Sequence, residues 1–225
     1  MKTRLFVWLG GAIFVVSLAA CAYSYLVVWG RVEPYGGRAA LAVDVVWFGL
    51  FAAHHSVLAR PSIQRRLERV VAPQLMRSVY VWTASILLIV VCALWQPVGG
   101  EAYRATGWLA LVGAATQVSG LGLIAFSVRA IDPLELAGIH DPVQRSTLQI
   151  TGPYRLVRHP LYLGWMLALF GAPHMTGDRL AFAAISSIYL VLAVPWEEQS
   201  LRRSFEEEYA AYARSVRWRI IPFVY

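Results

Sequence analysis

The chain has 225 residues, of which 58% are hydrophobic and only 15% charged, with a formal net charge of +7 and a mean hydropathy of +0.55. A soluble domain carries about a quarter charged residues, so an ordinary soluble enzyme is excluded. Disorder is excluded as well, because aromatics reach 13% and there is no low-complexity tract. Cys21 and Cys92 both lie inside apolar runs, so neither a disulfide framework nor a zinc cluster is expected, and no metal site is assigned.

A helix that crosses a bilayer needs roughly 20 mostly apolar residues. Residues 5–28 meet this without a charge and are too long for the apolar core of a signal peptide. Residues 39–59 form a second span, carrying Asp44 and the pair His54-His55, and residues 79–95 and 107–128 are the third and fourth. Asp44 reads chiefly as a structural hydrogen-bonding group toward a neighbouring helix. Trp8, Trp29, Trp47, Trp95, Trp108 and Trp196 read as members of interfacial belts.

After a polar stretch come two shorter apolar runs, 161–173 and 180–196, separated by a Gly-Asp turn signal. They predict a helical hairpin that barely spans or is re-entrant. His174 reads as a solvated loop residue at its turn, while Asp132 and Glu135 read as helix-capping residues after the fourth span. From Glu197 onward, Leu201, Phe205, Tyr209, Tyr212 and Val216 share one helical face. That tail is an interfacial amphipathic helix, a lid over a membrane-surface site, or both. The fold class predicted is therefore all-α, a polytopic integral membrane protein of about six membrane helices with a C-terminal amphipathic helix. Residues 1–128 form its four-helix membrane region and 129–225 the region that carries the chemistry, together one structural unit.

Basic residues collect on the cytoplasmic side of membrane proteins. With the N-terminus inside, sixteen of the 20 Lys and Arg residues fall on cytoplasmic segments, Arg65 and Arg145 among them, and only Arg31, Arg38, Arg104 and Arg179 fall outside. Both termini are accordingly expected in the cytoplasm, with a bacterial chain lying in the inner membrane. The positive charge needs no nucleic acid as partner, since retention on that side and anionic headgroups account for it.

The chemistry is expected near Thr151-Gly152-Pro153-Tyr154-Arg155-Leu156-Val157-Arg158-His159-Pro160. Pro160 suits a first helical position, which leaves Arg158 and His159 beside a helix N-terminus that favours anions. Glu197 follows His159 by 38 residues, nearly all used in going out and back. The hairpin therefore brings Glu197 and Glu198 close to Arg158 and His159, with Tyr154, Tyr162 and Trp196 around them. A salt bridge pinning the hairpin would use these charges alone; the tyrosines favour a ligand pocket. A ligand that wants both signs and an aromatic face is a zwitterion carrying ribose and a base, which describes S-adenosylmethionine. A dinucleotide fits less well, because no strand-turn-helix G-x-G-x-x-G is present.

Gly152-Pro153-Tyr154, Arg158-His159-Pro160-Leu161-Tyr162-Leu163-Gly164, Glu197-Glu198 and the tail Phe205…Tyr209…Tyr212…Ile221-Pro222 together resemble the isoprenylcysteine carboxyl methyltransferase and phospholipid methyltransferase superfamily. His54-His55-Ser56-Val57-Leu58-Ala59-Arg60 and Arg77-Ser78-Val79-Tyr80 are similar to the bacterial methanethiol S-methyltransferases and to NnrU-like membrane proteins. The resemblance implies S-adenosylmethionine as cofactor, contacted by His159, Tyr162, Gly164 and Glu197; Tyr154, Pro160 and Glu198, at the same ends of the hairpin, complete the expected binding set. It also implies Arg158 facing the reacting centre or the cofactor carboxylate. A histidine near the sulfonium acts as base or orients the nucleophile, which makes His54 and His55 the candidates toward a small or lipophilic thiol or carboxylate acceptor arriving through the bilayer. The arginine that eukaryotic prenylcysteine enzymes carry before the paired glutamates is replaced here by the apolar 192–196 stretch. Two other readings remain open at this point: an NADPH-dependent membrane reductase of the sterol type, and a non-enzymatic NnrU-like membrane protein.

Overall fold

The structure, a computed structural model, describes residues 2–58, 60, 63, 66–67, 69–72, 75–130, 133–139 and 148–225. The expectations for Ala59, Arg65, Asp132 and Arg145, and for the side chains of Lys2 and Glu135, lie outside the described residues. Among the described residues the helices longer than one turn are α1 Lys2–Tyr23, α2 Gly37–Leu58, α3 Met76–Ala93, α4 Gly107–Ala130, α5 Pro160–Phe170 and α6 Gly177–Ser215. Among the described residues, α2, α3, α4, α6 and the α1 segment are long and apolar enough to cross a membrane. The protein is thus an all-α polytopic membrane protein, as its composition predicts.

Two elements differ from the sequence expectation. The first hairpin arm, α5, has 11 residues, about 16 Å of helix, half of a ~30 Å hydrocarbon core. The second arm does not stop at Trp196 but continues through Pro195 and the charged tail as the 39-residue α6, broken only at Glu206 (φ 37°, ψ −109°). Composition changes from apolar to charged at Glu197, but the buried stripe Val194, Glu198, Tyr209 and Tyr212 continues past it. That stripe keeps the helix going.

The chain divides into two compact units, the first comprising Met1–Glu101, Asp132–Val143 and Thr176–Ala181. Here α1 ends in a π-helical turn, Ser24–Val28, which widens the helix and releases carbonyls from the ordinary ladder. Arg179 takes two of them, Nε donating to Tyr25 O at 2.9 Å and Nη2 to Leu26 O at 2.8 Å. Thr176 donates to Trp29 O. Asp178 gathers the segment after α3: it accepts from Trp95 Nε1 and Val98 N, both at 2.8 Å, and from Gly99 N at 3.3 Å. Trp29 and Trp95 are consequently core residues, with ring centroids 4.7 Å apart, not belt residues; Trp8, Trp108 and Trp196 are exposed as a belt requires. Asp44 is buried and accepts from Gln96 N at 2.8 Å, a structural bond made to backbone.

The second unit comprises Ala102–Ile131, Gln144–Met175 and Phe182–Tyr225. Its frame is α5 laid against α4. A Cβ on Gly120 would meet Ala168 N at 2.3 Å and Gly164 O at 2.6 Å, and one on Gly164 would meet Gly120 O at 2.9 Å. Two bare backbones in contact are what small residues permit between membrane helices. Gln117 Nε2 donates to Ala168 O at 2.9 Å, satisfying one carbonyl near the end of the short helix.

Candidate active site

The approach to α5 is built from turn chemistry. Gly152 takes φ 62°, a single 3-10 turn spans Gly152–Arg155, and Pro160 opens α5 with His159 as its N-cap residue. The backbone between them is held by the tail, since Arg158 N donates to Trp218 O at 2.9 Å and His159 N to Arg219 O at 2.7 Å. The expected juxtaposition is present. Arg158 Nε donates to Glu198 Oε1 at 2.7 Å. His159 Nδ1 lies 3.4 Å from Glu197 Oε2, and its Nε2 lies 3.6 Å from Glu198 Oε1. Tyr162 donates its hydroxyl to Glu197 Oε1 and stacks its ring on His159, centroids 5.3 Å apart and 13° from parallel.

The two glutamates, neighbours in sequence, occupy different surroundings. Glu198 is 3% exposed and also meets Arg219 Nε at 3.3 Å and Arg202 Nη2 at 3.9 Å, whereas Glu197 is 44% exposed. Arg158 is equally committed, its Nη1 donating to Val216 O at 2.8 Å and Arg217 O at 3.0 Å. Glu198 and Arg158 thus form a buried post, and Glu197 and His159 form the face beside it. Burial works against a charged His159, but Glu197 and Glu198 outweigh it and hold its pKa above the ordinary histidine value. Its Nε2 is nevertheless buried and has no hydrogen-bond partner, and the same is true of the Tyr209 hydroxyl.

Tyr154 joins through its backbone, accepting from the Tyr212 hydroxyl at 2.7 Å, and packs beside Tyr209, Tyr212 and Val216 with Leu201 and Phe205. The stripe read from the tail is therefore one buried cluster. Gly164 faces α4, and Trp196 is exposed. Sequence reading missed Arg219 and Tyr209 as members of this cluster. Arg219 registered only as a basic residue and Tyr209 only as part of a stripe; neither pattern names a polar neighbour.

His54 and His55 belong to the first unit. His55 Nδ1 and the Tyr80 hydroxyl are 2.6 Å apart. His54 stacks on the same tyrosine at 5.5 Å and 23°, and both its ring nitrogens are buried without a hydrogen-bond partner. Arg77 lies over the Tyr80 ring at 5.3 Å.

Residues 108–208 match the phospholipid methyltransferase family. The chain is 34% identical to a methanethiol S-methyltransferase from Pseudomonas deceptionensis, over 79% of this chain and 71% of that protein. It is 32% identical to one from Mycobacterium tuberculosis, over 96% of each. Nurim from Xenopus laevis is 28% identical over 79% of this chain and 69% of its own length. No solved structure matches.

Proposed function

The chain belongs to the family of the methanethiol S-methyltransferases and is a multi-pass membrane methyltransferase, and from that premise we propose that it transfers the methyl group of S-adenosylmethionine to a small thiol. The observation that carries this reading is the pairing at the start of α5: buried His159, held between Glu197 and Glu198, stands beside the half-exposed carboxylate of Glu197. A cation and a solvent-facing carboxylate side by side suit a zwitterion that also carries hydroxyls. The residues fit the group: His159 would donate to its carboxylate, Glu197 would accept from ribose hydroxyls, and the Tyr162 ring would add an aromatic surface. When bound, the cofactor supplies a methyl group activated on a sulfonium.

The remaining work falls to the chain. Tyr162 fixes the Glu197 carboxylate, while Glu198 and Arg158 hold the His159 backbone and ring in place as positioning residues. Tyr154 and Pro160 set the approach and start of α5, and Gly164 seats that helix on α4. A thiol must lose its proton to become the nucleophile, and His54, with no hydrogen-bond partner on its ring nitrogens, and His55, held by Tyr80, are the bases of the first unit suited to such a step. Alignment and exclusion of water then supply most of the acceleration. The site opens to the cytoplasm, in line with the distribution of basic residues, and the apolar acceptor arrives from the bilayer.

Equilibrium binding of labelled S-adenosylmethionine to the purified protein, followed by detection of dimethyl sulfide on addition of methanethiol, tests this. Glu197→Ala is expected to lose cofactor binding while melting within a few degrees of the wild type. Unchanged affinity in that variant would refute the site, and absence of any methylated thiol with the wild type would refute the acceptor.

A further inference from the structure

Because α5 stops after 11 residues while α4 runs for 24, the first turns of α4 extend past the end of α5. The helices touch last where a Cβ on Gly113 would lie 2.9 Å from Gly171 O. Beyond that point an open crevice of about 440 Å³ remains, walled by Leu109, Val112, Phe170 and Pro173 and headed by Tyr103 and Arg104. Its shape is fixed. Tyr103 donates to Phe170 O at 3.2 Å and Ala172 O at 3.0 Å, and Ala105 N donates to Pro173 O at 2.8 Å.

We propose that this crevice holds one acidic phospholipid, its headgroup phosphate on Arg104 and an acyl chain along Leu109, Val112 and Phe170. Three observations choose that occupant. The face beside the crevice, Trp108, Leu109, Leu111 and Val112, is half or more exposed on a helix apolar enough to cross a membrane, so in a bilayer lipid covers it. Exposed Tyr103 and Trp108 are the residue types that settle at headgroup depth. The Arg104 guanidinium at the head of the crevice is held by His174, its Nη2 lying 3.1 Å from His174 Nε2. A guanidinium only donates, so that imidazole nitrogen accepts, and a fixed guanidinium is the kind of cation a phosphodiester pairs with. The crevice is at the opposite end of α5 from His159, about 16 Å along the helix, so this lipid is separate from the proposed methyl acceptor.

The test is native mass spectrometry of the full chain in detergent, titrated with dioleoyl-phosphatidylglycerol, dioleoyl-phosphatidylcholine or inorganic phosphate. The expected result is one phosphatidylglycerol per chain, retained about ten-fold more tightly than phosphatidylcholine. Arg104→Gln is expected to remove that preference, Arg104→Lys to keep most of it, and Val112→Trp to weaken both lipids by filling the crevice. Melting temperature of each variant serves as the folding control, with the Lys and Trp variants deciding the matter should the Gln variant unfold. Equal retention of the two lipids by the wild type overturns the proposal. So does undiminished binding in Val112→Trp, or displacement of the lipid by inorganic phosphate alone.

Discussion

Replacing each of the adjacent glutamates by alanine separates the post from the face. Glu198→Ala strands Arg158, whose side chain is 7% exposed, and breaking a buried ion pair from one side costs about 3–5 kcal/mol. Arg158 keeps its bonds to Val216 O and Arg217 O, and Arg219 is exposed enough to turn to water, so the lower end, about 3 kcal/mol, is expected. For a chain of this length each kcal/mol moves the melting temperature by about 2–4 °C, giving a loss of about 6–12 °C. Glu197→Ala removes one bond from Tyr162 and a partly exposed contact to His159, which amounts to no more than about 1 kcal/mol. Intrinsic tryptophan fluorescence during thermal unfolding in detergent reads both variants. Equal losses in the two, or a Glu198→Ala protein as stable as the wild type, would show that the post does not hold the site.

The raised pKa of His159 sets a pH dependence. A group whose folded pKa lies above its unfolded value stabilises fully below about pH 6.5 and loses that contribution as pH rises through the folded pKa. The melting-temperature gap between wild type and His159→Asn should therefore be widest below about pH 6 and narrow on the alkaline side; a gap that widens with pH contradicts the pairing. Gly120→Ala gains about 1 kcal/mol of helix propensity but forces a Cβ to 2.3 Å from Ala168 N, and overpacking costs about 1–3 kcal/mol. A net fall in melting temperature is expected, and an unchanged or raised value would mean that α4 and α5 separate freely. Asp178→Leu leaves Trp95 Nε1, Val98 N and Gly99 N without their acceptor, at about 1–3 kcal/mol for each buried group. Limited proteolysis should then cut near 97–100 in the variant and spare the wild type; identical digestion patterns would count against the clamp.

Much of the site was legible because its determinants are local or follow from chain reversal. Gly152-Pro153 announces a turn, Pro160 announces a helix start, and an apolar out-and-back run must return its ends to one place, which predicts that His159 meets Glu197. What stayed hidden depends on partners far along the chain. Nothing in Glu197-Glu198 says which is buried: successive helical residues point about 100° apart, and the choice is made by Arg219 and the tail carbonyls that saturate Arg158. Trp29 and Trp95 carry the composition of belt residues, and only Asp178, 83 positions after Trp95, draws the latter inward. The continuity of α6 was missed for a related reason, since a change from apolar to charged composition was read as a boundary although the buried stripe carried on.

The brevity of α5 bears on how the protein is made. A stretch of 11 apolar residues is too short for the insertion machinery to release into lipid by itself. The apolar length that α5 lacks is supplied by the start of α6, so the two are expected to enter lipid as a pair. The histidine in front of α5 meets its glutamate only once both helices are in place, so the His159–Glu197 pairing is expected to form late, after joint entry. A premature stop between Trp196 and Ser215 would leave a chain with its earlier spans threaded and no working pocket.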